Sequence, residues 1–425
     1  MLPVSFIREN KERVLKSLRV RNNKDEQLIN QILQTDTRRK ELQQKLESHQ
    51  SESNSIAGEI KELYKTGKGA EAGAKKERGS ELKITIAAIK NELNATKEDL
   101  EHFLLQLPNC ANDLVPEGLS DEDNQVHQAW SGELPSMQQE ALPHWELAKK
   151  YNLIDFEMGA KITGAGFPVY VGKGARLQRA LISFFLDEAE AAGYQEYQVP
   201  YLVNEDSARG TGQLPDKEGQ MYHVEKDDLY IIPTAEVPLT NIYRDVVVKE
   251  EDLPIKLTGH TPCFRREAGS YGAHVRGLNR LHQFDKVEIV QVQHPDKSYD
   301  TLKEMCGHVE QLLQKLELPY QILLLCGGDL GFASAITYDF ETYSAAQKRW
   351  LEVSSVSNFE VFQANRLKLR YKDAETGKNH LAHTLNGSAL ALPRILATIL
   401  ENNQTAEGIR IPKALQKYTG FEWIQ

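Results

Sequence analysis

A long interval without proline most constrains this chain. No proline occurs between Pro3 and Pro108, and apolar or small residues recur there in alternating steps of four and three. This spacing is typical of a coiled-coil seam, in which one apolar stripe of a helix packs against a second helix. The seam positions are Leu28, Ile32, Thr35, Leu42, Leu46, Ile56, Ile60, Leu63, Leu82, Ile86, Ile89, Leu93, Leu100, Phe103 and Leu107.

A segment rich in glycine and lysine, residues 64–80, interrupts this pattern. We expect that it cannot continue a packed helix, so the chain should fold back there into an antiparallel hairpin. Each helix would run for about 35 to 40 residues and the hairpin would project on the order of 50 to 60 Å, at about 1.5 Å per residue. The sequence therefore predicts a helical arm.

Charge differs between this N-terminal part and the rest of the chain. Residues 1–110 contain 20 lysines and arginines against 17 aspartates and glutamates, whereas all 425 residues together carry a formal net charge of −10. RNA contact would therefore need a local basic stretch. Charges that only solvate an exposed hairpin would give the same composition. The tip cations that could bind phosphates are Lys65, Lys68, Lys75, Lys76 and Arg78.

Several classes of protein are disfavoured. The four cysteines are scattered without a C-x-x-C pair, which argues against a zinc knuckle or a disulfide framework. No apolar run is long enough for a signal peptide or a membrane span, so we expect a soluble cytoplasmic protein without membrane contact. There is no G-x-x-x-x-G-K-[ST] phosphate loop, and Gly164-x-Gly166 is followed by Pro168, unlike a dinucleotide-binding fingerprint.

Beyond Pro108 the pattern changes to short strands and helices with glycine and proline between them. An amphipathic helix, residues 175–193, leads into a short strand that stops at Pro200. Two further strands, KLTGHTPCFRRE and LHQFDKVEIVQVQ, are joined by the glycine-rich loop AGSYGAHVRGLNR, which predicts antiparallel pairing.

Strand alternation suggests where the polar residues of these two strands lie. It places Arg265 and Glu267 on one face, and Phe284 and Glu288 on one face of the partner strand. A guanidinium suits a phosphate, a ring suits a nucleotide base, and carboxylates suit amino groups. For any single residue, a solvated sheet face would be the favoured explanation.

The longer motifs carry a family resemblance. The string FRREAGSYGAHVRGLNRLHQFDKVE resembles the second signature motif of class II aminoacyl-tRNA synthetases in its seryl form. NGSALALPRILATILENNQ resembles the third motif, with Asn386, Gly387, Ser388 and Arg394 in place, and the helix and strand that end at Pro200 resemble the first. IIPTAEVPLTN and LEVSS fit the seryl pattern, and the class I signatures HIGH and KMSKS are absent. The resemblance covers nearly the whole chain.

The resemblance implies an α+β fold with two parts. One is a long N-terminal antiparallel α-helical coiled-coil arm, and the other is a class II synthetase catalytic domain built on an antiparallel β-sheet flanked by helices. We expect a tRNA-binding domain at residues 1–110 with the arm at about 26–107, a linker at 111–139 and the catalytic domain at 140–425. The family is homodimeric, and the arm of one subunit reaches tRNA at the active site of the other.

The resemblance also assigns roles to residues. Arg265 would grip the α-phosphate, Glu267 would bind the adenine amino group, Phe284 would stack on adenine, Arg394 would hold the γ-phosphate and Arg280 would add a phosphate contact. The catalytic set would be Arg265, Glu267 and Arg394. The ATP-binding set would be Arg265, Arg266, Glu267, Arg280, Phe284, Glu352, Val353, Ser354, Ser355 and Arg394. The serine-binding set would be Thr234, Ala235, Glu236, Glu288 and Ser388.

Glu352 and Ser355 are candidates for binding Mg²⁺, although strand alternation would put them on opposite faces unless the strand is locally irregular. The chemistry requires no side-chain nucleophile. We therefore expect structural or loop roles for five histidines, namely His260, His274, His282, His380 and His383.

The implied reaction is ATP-dependent activation of L-serine to seryl-adenylate and transfer to tRNA(Ser), extending to tRNA(Sec). ATP would be a substrate, used with Mg²⁺. Three alternatives stay open. One is a class II ligase for another small amino acid such as threonine or proline, the second is a non-catalytic RNA-binding paralogue, and the third is a paralogue that loads a carrier protein.

Overall fold

The computed structural model describes residues 1–135, 140–216, 219–267 and 276–425. The chain divides into two compact units, one of residues 2–19 and 23–108, the other of Met1, residues 20–22 and residues 109–425. The helices are α1 Val4–Glu9, α2 Lys11–Val20, α3 Gln27–Lys65, α4 Ala72–Gln106, α5 His144–Lys150, α6 Phe156–Ile162, α7 Gly172–Ala191, α8 Glu205–Thr211, α9 Glu236–Asn241, α10 Ser298–Lys315, α11 Val361–Leu367, α12 Leu392–Asn402 and α13 Lys413–Thr419.

Strands are confined to the second unit. They are β1 Gln125–Gln128, β2 Ile154–Asp155, β3 Val169–Tyr170, β4 Gln195–Glu196, β5 Leu202–Val203, β6 Tyr222–Val224, β7 Leu229–Ile231, β8 Val247–Lys249, β9 Ile255–Phe264, β10 Gln283–Gln293, β11 Tyr320–Leu324, β12 Ile336–Ser344, β13 Arg349–Asn358, β14 Arg370–Lys372, β15 Asn379–Leu381, β16 His383–Ala391, β17 Ile409–Arg410 and β18 Trp423–Ile424.

The first unit is the predicted helical hairpin. α3 has 39 residues and α4 has 35, so the longer helix spans about 58 Å. The pairs Arg38–Glu92 and Arg78–Glu52 join the two helices and show that they run antiparallel. Around Leu42 the seam is a compact apolar cluster, whereas Ile56, Ile60 and Leu63 nearer the tip are only half-buried.

The tip of the hairpin is shorter than predicted. α3 continues to Lys65, one 3-10 turn follows at Gly69–Glu71, and α4 already begins at Ala72. The expectation that residues 64–80 cannot continue a packed helix is therefore wrong for the part after residue 71. Alanine, lysine, glutamate and arginine are strong helix formers, and they outweigh two glycines that cost about 1 kcal/mol each.

A buried carboxylate lies near the base of the hairpin. Asp36 is only 2% exposed, and it accepts hydrogen bonds from Arg8 and Arg39 at 2.7 Å each. Lys40 adds an ion-pair contact at 3.2 Å. Burial alone would raise the pKa of Asp36, but the three cations lower it below the usual value. The ionised carboxylate therefore ties α1 to α3.

The second unit is organised around an eight-stranded sheet. Its strand order is β1-β11-β12-β13-β16-β10-β9-β4, and every neighbouring pair is antiparallel except β4 with β9. Helices α7, α10 and α12 bury their apolar residues with those of the sheet in one core. The order brings β9, β10, β16 and β13 side by side, so motifs distant in sequence become neighbours.

The structure confirms the predicted α+β fold, with a helical arm and a mainly antiparallel sheet flanked by helices. α7 ends at Ala191, just before Gly193, whose φ of 86° requires the left-handed region that glycine favours. Within the part of the chain that the structure describes, no helix is long and apolar enough to cross a membrane.

Candidate active site

The predicted hairpin of β9 and β10 is present, but β9 is shorter than expected. Phe264 pairs with Gln283 at its end, and the Arg265 backbone N–H donates to the His282 carbonyl at 2.9 Å. Glu267 has φ 48°, which breaks the extended backbone. The prediction that strand alternation puts Arg265 and Glu267 on one strand face is therefore wrong, because alternation requires extended residues.

The turn after β9 nevertheless brings the predicted groups together. The Arg265 guanidinium lies over the Phe284 ring, with 5.3 Å between its carbon and the ring centroid. The carboxylate of Glu267 forms an ion pair with Arg280. Arg266 is held through its backbone N–H, which donates to the Gln220 carbonyl at 2.9 Å. The loop residues 268–275, including His274, lie outside the described residues.

Arg394 joins this group from the first turn of α12. Its Nε donates to the carbonyl of Asn279 at 3.1 Å, next to Arg280. Its Nη1 donates to the Glu352 carbonyl at 2.8 Å and to Glu352 Oε2 at 3.3 Å. The third motif and the LEVSS segment therefore meet the end of the second motif at a single point.

Glu352 and Ser355 lie on the same side of β13 because the strand is irregular. Phe340 of β12 pairs with Ser354, whereas the next residue, Glu341, pairs with Glu352. Val353 is thus an extra residue, a β-bulge, and it shifts the side-chain alternation by one. Ser355 Oγ consequently lies 3.5 Å from Glu352 Oε1.

The other two residues of this segment point elsewhere. Val353 is 1% exposed and its side chain belongs to the core. The Ser354 hydroxyl donates to the Ser388 carbonyl at 2.7 Å and is buried. Only the backbones of Val353 and Ser354 are therefore suited to contact a nucleotide.

Three of the residues expected to bind serine form a connected, buried group. Thr234 Oγ1 donates to Glu288 Oε2 at 3.3 Å, and the Glu236 backbone N–H donates to Thr234 Oγ1 at 3.2 Å. Ser388 lies opposite Glu288 in the pairing of β16 with β10. Ala235 is fully buried in a small apolar cluster.

The electrostatics of this group depend on residues that the sequence did not single out. Lys286 forms a buried ion pair with Glu288, the two side chains being 8% and 1% exposed. Gln363 Nε2 donates to Glu236 Oε1 at 2.6 Å. Burial, helped by the charge of Glu288, raises the pKa of Glu236 to about 7. The group therefore holds two carboxylates and only one cation.

The two missed residues differ in how they could have been found. Lys286 lies midway between Phe284 and Glu288 on the same strand, so period two would have placed it on their face. Gln363 is in α11 and meets Glu236 from 127 residues away, and no local pattern marks it.

A further carboxylate, Asp339 of β12, was also missed. It pairs with Ser355 across the strands, and one of its oxygens has no hydrogen-bond partner among the described residues. Burial and the nearby Glu352 charge raise the pKa of Asp339 well above its usual value. Asp339 and Glu341 are two positions apart on β12, and this alternation of carboxylates could have identified Asp339 from the sequence.

Four of the five histidines lie in the described part of the chain. His260 contacts Asp285 at 2.8 Å, and His282 contacts the Tyr222 hydroxyl at 2.9 Å. His383 contacts Ser298 at 2.8 Å, and the ring of His380 lies beside Tyr371.

Comparisons with known proteins agree with this geometry. Residues 221–403 match the tRNA synthetase class II core domain (G, H, P, S and T), and residues 1–111 match the seryl-tRNA synthetase N-terminal domain. The serine–tRNA ligase of Salinibacter ruber is 49% identical over 425 residues, which cover 100% of this chain and 99% of that relative.

Solved structures give the same result. The seryl-tRNA synthetase from Pyrococcus horikoshii complexed with ATP is 33% identical, with a TM-score of 0.91 over 100% of this chain and 99% of that one. The cytoplasmic serine-tRNA ligase from Naegleria fowleri in complex with AMP is 26% identical, with a TM-score of 0.87 over the same shares.

An antiparallel sheet that gathers these arginines, together with the core-domain match, defines a class II aminoacyl-tRNA synthetase. Within that class, the chain belongs to the seryl-tRNA synthetase family. The predicted family and enzyme class are confirmed, and the alternatives of another amino acid or a non-catalytic paralogue are not favoured.

Proposed function

We propose that this chain converts L-serine and ATP to seryl-adenylate and then transfers the seryl group to tRNA(Ser), with tRNA(Sec) as a second acceptor. The observation that carries the proposal is the buried group of Thr234, Glu236, Lys286 and Glu288. Lys286 and Glu288 share strand β10 with Phe284. This buried group offers polar atoms for an amino acid near a ring and a guanidinium suited to a nucleotide.

Charge balance supports a small amino acid with a free ammonium group. Glu236 and Glu288 are both buried and Lys286 pairs with Glu288, so a second cation would be favourable there. The ammonium of serine supplies it. Thr234 and Ser388 bring hydroxyl groups that can bond the serine hydroxyl. A site built for that hydroxyl rejects alanine, because alanine would leave its polar groups unpaired.

The three arginines support the binding of a triphosphate. Arg280 and Arg394 now pair with Glu267 and Glu352, and their side chains are 46% and 30% exposed. Partly exposed ion pairs of this kind are worth up to about 1 kcal/mol. Phosphate oxygens can therefore replace the carboxylates, since guanidinium binds phosphate with two parallel hydrogen bonds. Arg265 would contact the α-phosphate while adenine stacks on Phe284 and bonds Glu267.

Mg²⁺ fits the oxygen donors at the bulge in β13. Glu352 and Ser355 hold a carboxylate and a hydroxyl 3.5 Å apart, and Asp339 adds a carboxylate oxygen without a partner in the described structure. Hard oxygen ligands of this kind are those that Mg²⁺ prefers. Glu352 and Ser355 would hold the ion, which when bound would neutralise phosphate charge.

In the first step, the serine carboxylate oxygen attacks the α-phosphorus in line, the bond to the β-phosphate oxygen breaks, and pyrophosphate leaves. Arg265 and Arg394 neutralise the charge that develops on the phosphate oxygens, and binding aligns the two reactants. In the second step, the 3′-hydroxyl of tRNA attacks the adenylate carbonyl and AMP leaves. Neither step needs a side-chain nucleophile.

The N-terminal hairpin is proposed to bind tRNA. Near the tip, Lys65 pairs with Glu62, Lys75 with Glu59 and Arg78 with both Glu52 and Glu81. These pairs are exposed and weak, so RNA phosphates can compete for the cations. We further propose a cytoplasmic homodimer in which the arm of one subunit serves the active site of the other. The domain limits stay as predicted, at residues 1–110, 111–139 and 140–425.

Pyrophosphate exchange tests the adenylation step. Labelled pyrophosphate should enter ATP in the presence of serine but not of threonine, alanine or proline. A chain that exchanges with none of them, or equally well with threonine, would refute the proposed specificity.

Deletion of the arm tests the transfer step. Removal of residues 30–100 should leave serine-dependent exchange largely intact and abolish charging of tRNA(Ser). Charging that survives the deletion would show that the arm does not bind tRNA.

A further inference from the structure

A histidine and a glutamate form a fully buried pair beneath the candidate active site. His144 begins α5 and Glu401 lies near the end of α12, and both side chains are 0% exposed. Glu401 Oε1 contacts the His144 Nδ1 at 2.7 Å and accepts the His144 backbone N–H at 2.9 Å. Burying such a pair is costly unless its remaining polar atoms are bonded, so its further partners are informative.

The first further partner is the turn that precedes Arg280. His144 Nε2 accepts the backbone N–H of Leu278 at 2.8 Å, which means that Nδ1 carries the ring proton and donates it to Glu401. The contact is close, because a Cβ on Gly277 would lie 2.2 Å from His144 Nε2. Gly277 also has φ 68°, which favours glycine, so both the close contact and the backbone conformation require glycine at this position.

The second further partner leads to Arg394. Gln347 Nε2 donates to both oxygens of Glu401, at 3.0 and 3.3 Å. Gln347 Oε1 in turn accepts from Asn279 Nδ2 at 2.9 Å. The carbonyl of Asn279 accepts from Arg394 Nε at 3.1 Å. Hydrogen bonds thus link the buried pair through Gln347 and Asn279 to Arg394. The bond to Leu278 fixes the turn from which the backbone continues to Arg280.

We propose that His144 and Glu401 are positioning residues for adenylate formation. They hold the turn of residues 276–279 against α12, so that Arg280 and Arg394 point at the same triphosphate. This inference rests on the proposed function. A pair of long cationic side chains is useful in catalysis only if its orientation is set in advance, and a misplacement of about 1 Å can cost about a hundredfold in rate.

Two substitutions of the histidine separate its two hydrogen bonds. In His144→Asn, the amide nitrogen can take the place of Nδ1 and keep the bond to Glu401, but Leu278 loses its acceptor. In His144→Gln, the amide oxygen can take the place of Nε2 and keep the bond to Leu278. We expect His144→Asn to raise the KM for ATP in serine-dependent exchange by about tenfold to a hundredfold, with the KM for serine within about twofold of wild type. His144→Gln should recover part of the loss.

Gln347→Leu supplies a second test without a change in the buried pair. It cuts the link between Glu401 and Asn279, so it should raise the KM for ATP in the same direction even if His144→Asn does not fold. His383→Leu is the matched control, because it removes the hydrogen bond that Nδ1 of another buried histidine makes to Ser298 at 2.8 Å. The control should lower the melting temperature and leave the KM for ATP unchanged.

The outcomes are distinct. If His144→Asn and Gln347→Leu lower the melting temperature as the control does but leave the KM for ATP unchanged, the pair is merely structural and the inference is refuted. An equal rise in both KM values refutes it as well. Wild-type protein without serine-dependent exchange would instead refute the proposed function, and the inference with it.

Discussion

Replacing Glu236 by glutamine should make the second unit more stable while it lowers activity at least tenfold. Burial raises the pKa of this carboxyl from 4.5 to about 7. The folded state therefore binds the proton more tightly than the unfolded state, and stability is lost as pH rises from 4.5 through 7. The difference between a pKa of 4.5 in the unfolded chain and about 7 in the folded chain corresponds to about 3 kcal/mol of lost stability at pH 8. Glutamine cannot ionise, so it avoids this loss of stability, and its amide oxygen can still accept the hydrogen bond from Gln363.

The assay is thermal unfolding of the wild type and the variant between pH 5 and pH 8. We expect nearly equal melting temperatures at pH 5, and a variant that melts on the order of 5 °C higher at pH 8. Serine-dependent pyrophosphate exchange should fall at least tenfold at the same pH, because an amide cannot neutralise the serine ammonium. Binding sites commonly keep groups that reduce the stability of the fold, and a buried carboxylate of this kind is typical of such a site.

Glu401→Gln is the matched control, with the opposite sign. Burial alone would raise the pKa of Glu401, but hydrogen bonds from His144 and Ser344 lower it. Its stabilisation is therefore present above pH 4.5 and lost on acidification, so this substitution should destabilise the chain at pH 8. The reasoning would be refuted if Glu236→Gln were less stable than wild type at pH 8, or if its melting difference were the same at pH 5 and pH 8.

Three further predictions follow from contacts in the structure. Phe284→Leu should raise the KM for ATP about two- to tenfold through loss of stacking, with little change in the KM for serine, as pyrophosphate exchange would show. Gly277→Ala should lower the melting temperature, because the new Cβ would collide with His144. Gly307→Ala is the control: it lies in a helix with no atom within 4 Å of the new Cβ, so it should stabilise the folded chain by up to about 1 kcal/mol. Asp36→Asn should destabilise the helical hairpin by about 1 to 3 kcal/mol at pH 7. The pKa of Asp36 is lowered, so wild type loses the stabilisation by the ionised carboxylate when the pH falls below about 4. The difference in stability between wild type and Asp36→Asn should therefore shrink there, as measured by circular dichroism.

Local patterns predicted the long elements well. The four-three spacing of apolar residues identified α3 and most of α4, because a helix repeats every 3.6 residues wherever it lies. The same logic found the pairing of β9 with β10. Local patterns did not predict where these elements end: α4 already begins at Ala72, and β9 already ends at Phe264. Helix propensity and packing against α3 decided where α4 begins. A positive φ at Glu267 ended the extended backbone that follows β9.

The candidate site was predictable only in part. Motif strings named Arg265, Phe284, Arg394 and the serine-pocket residues, since each of these residues lies within a short motif. No string could show that Val353 is an extra residue that turns Glu352 and Ser355 to one side, because that register depends on pairing with β12.

The amino-acid order alone thus determined the helical arm, the family and the charged residues that the chemistry needs. Tertiary structure decided how these residues are paired and charged. The pKa of the Glu236 carboxyl is raised because the fold buries it beside Glu288, and the hydrogen bond that Gln363 donates from a distant helix limits that rise. Burial and long-range hydrogen bonds depend on residues far apart in the sequence, 127 positions for Glu236 and Gln363, so local periodicity contains no record of them.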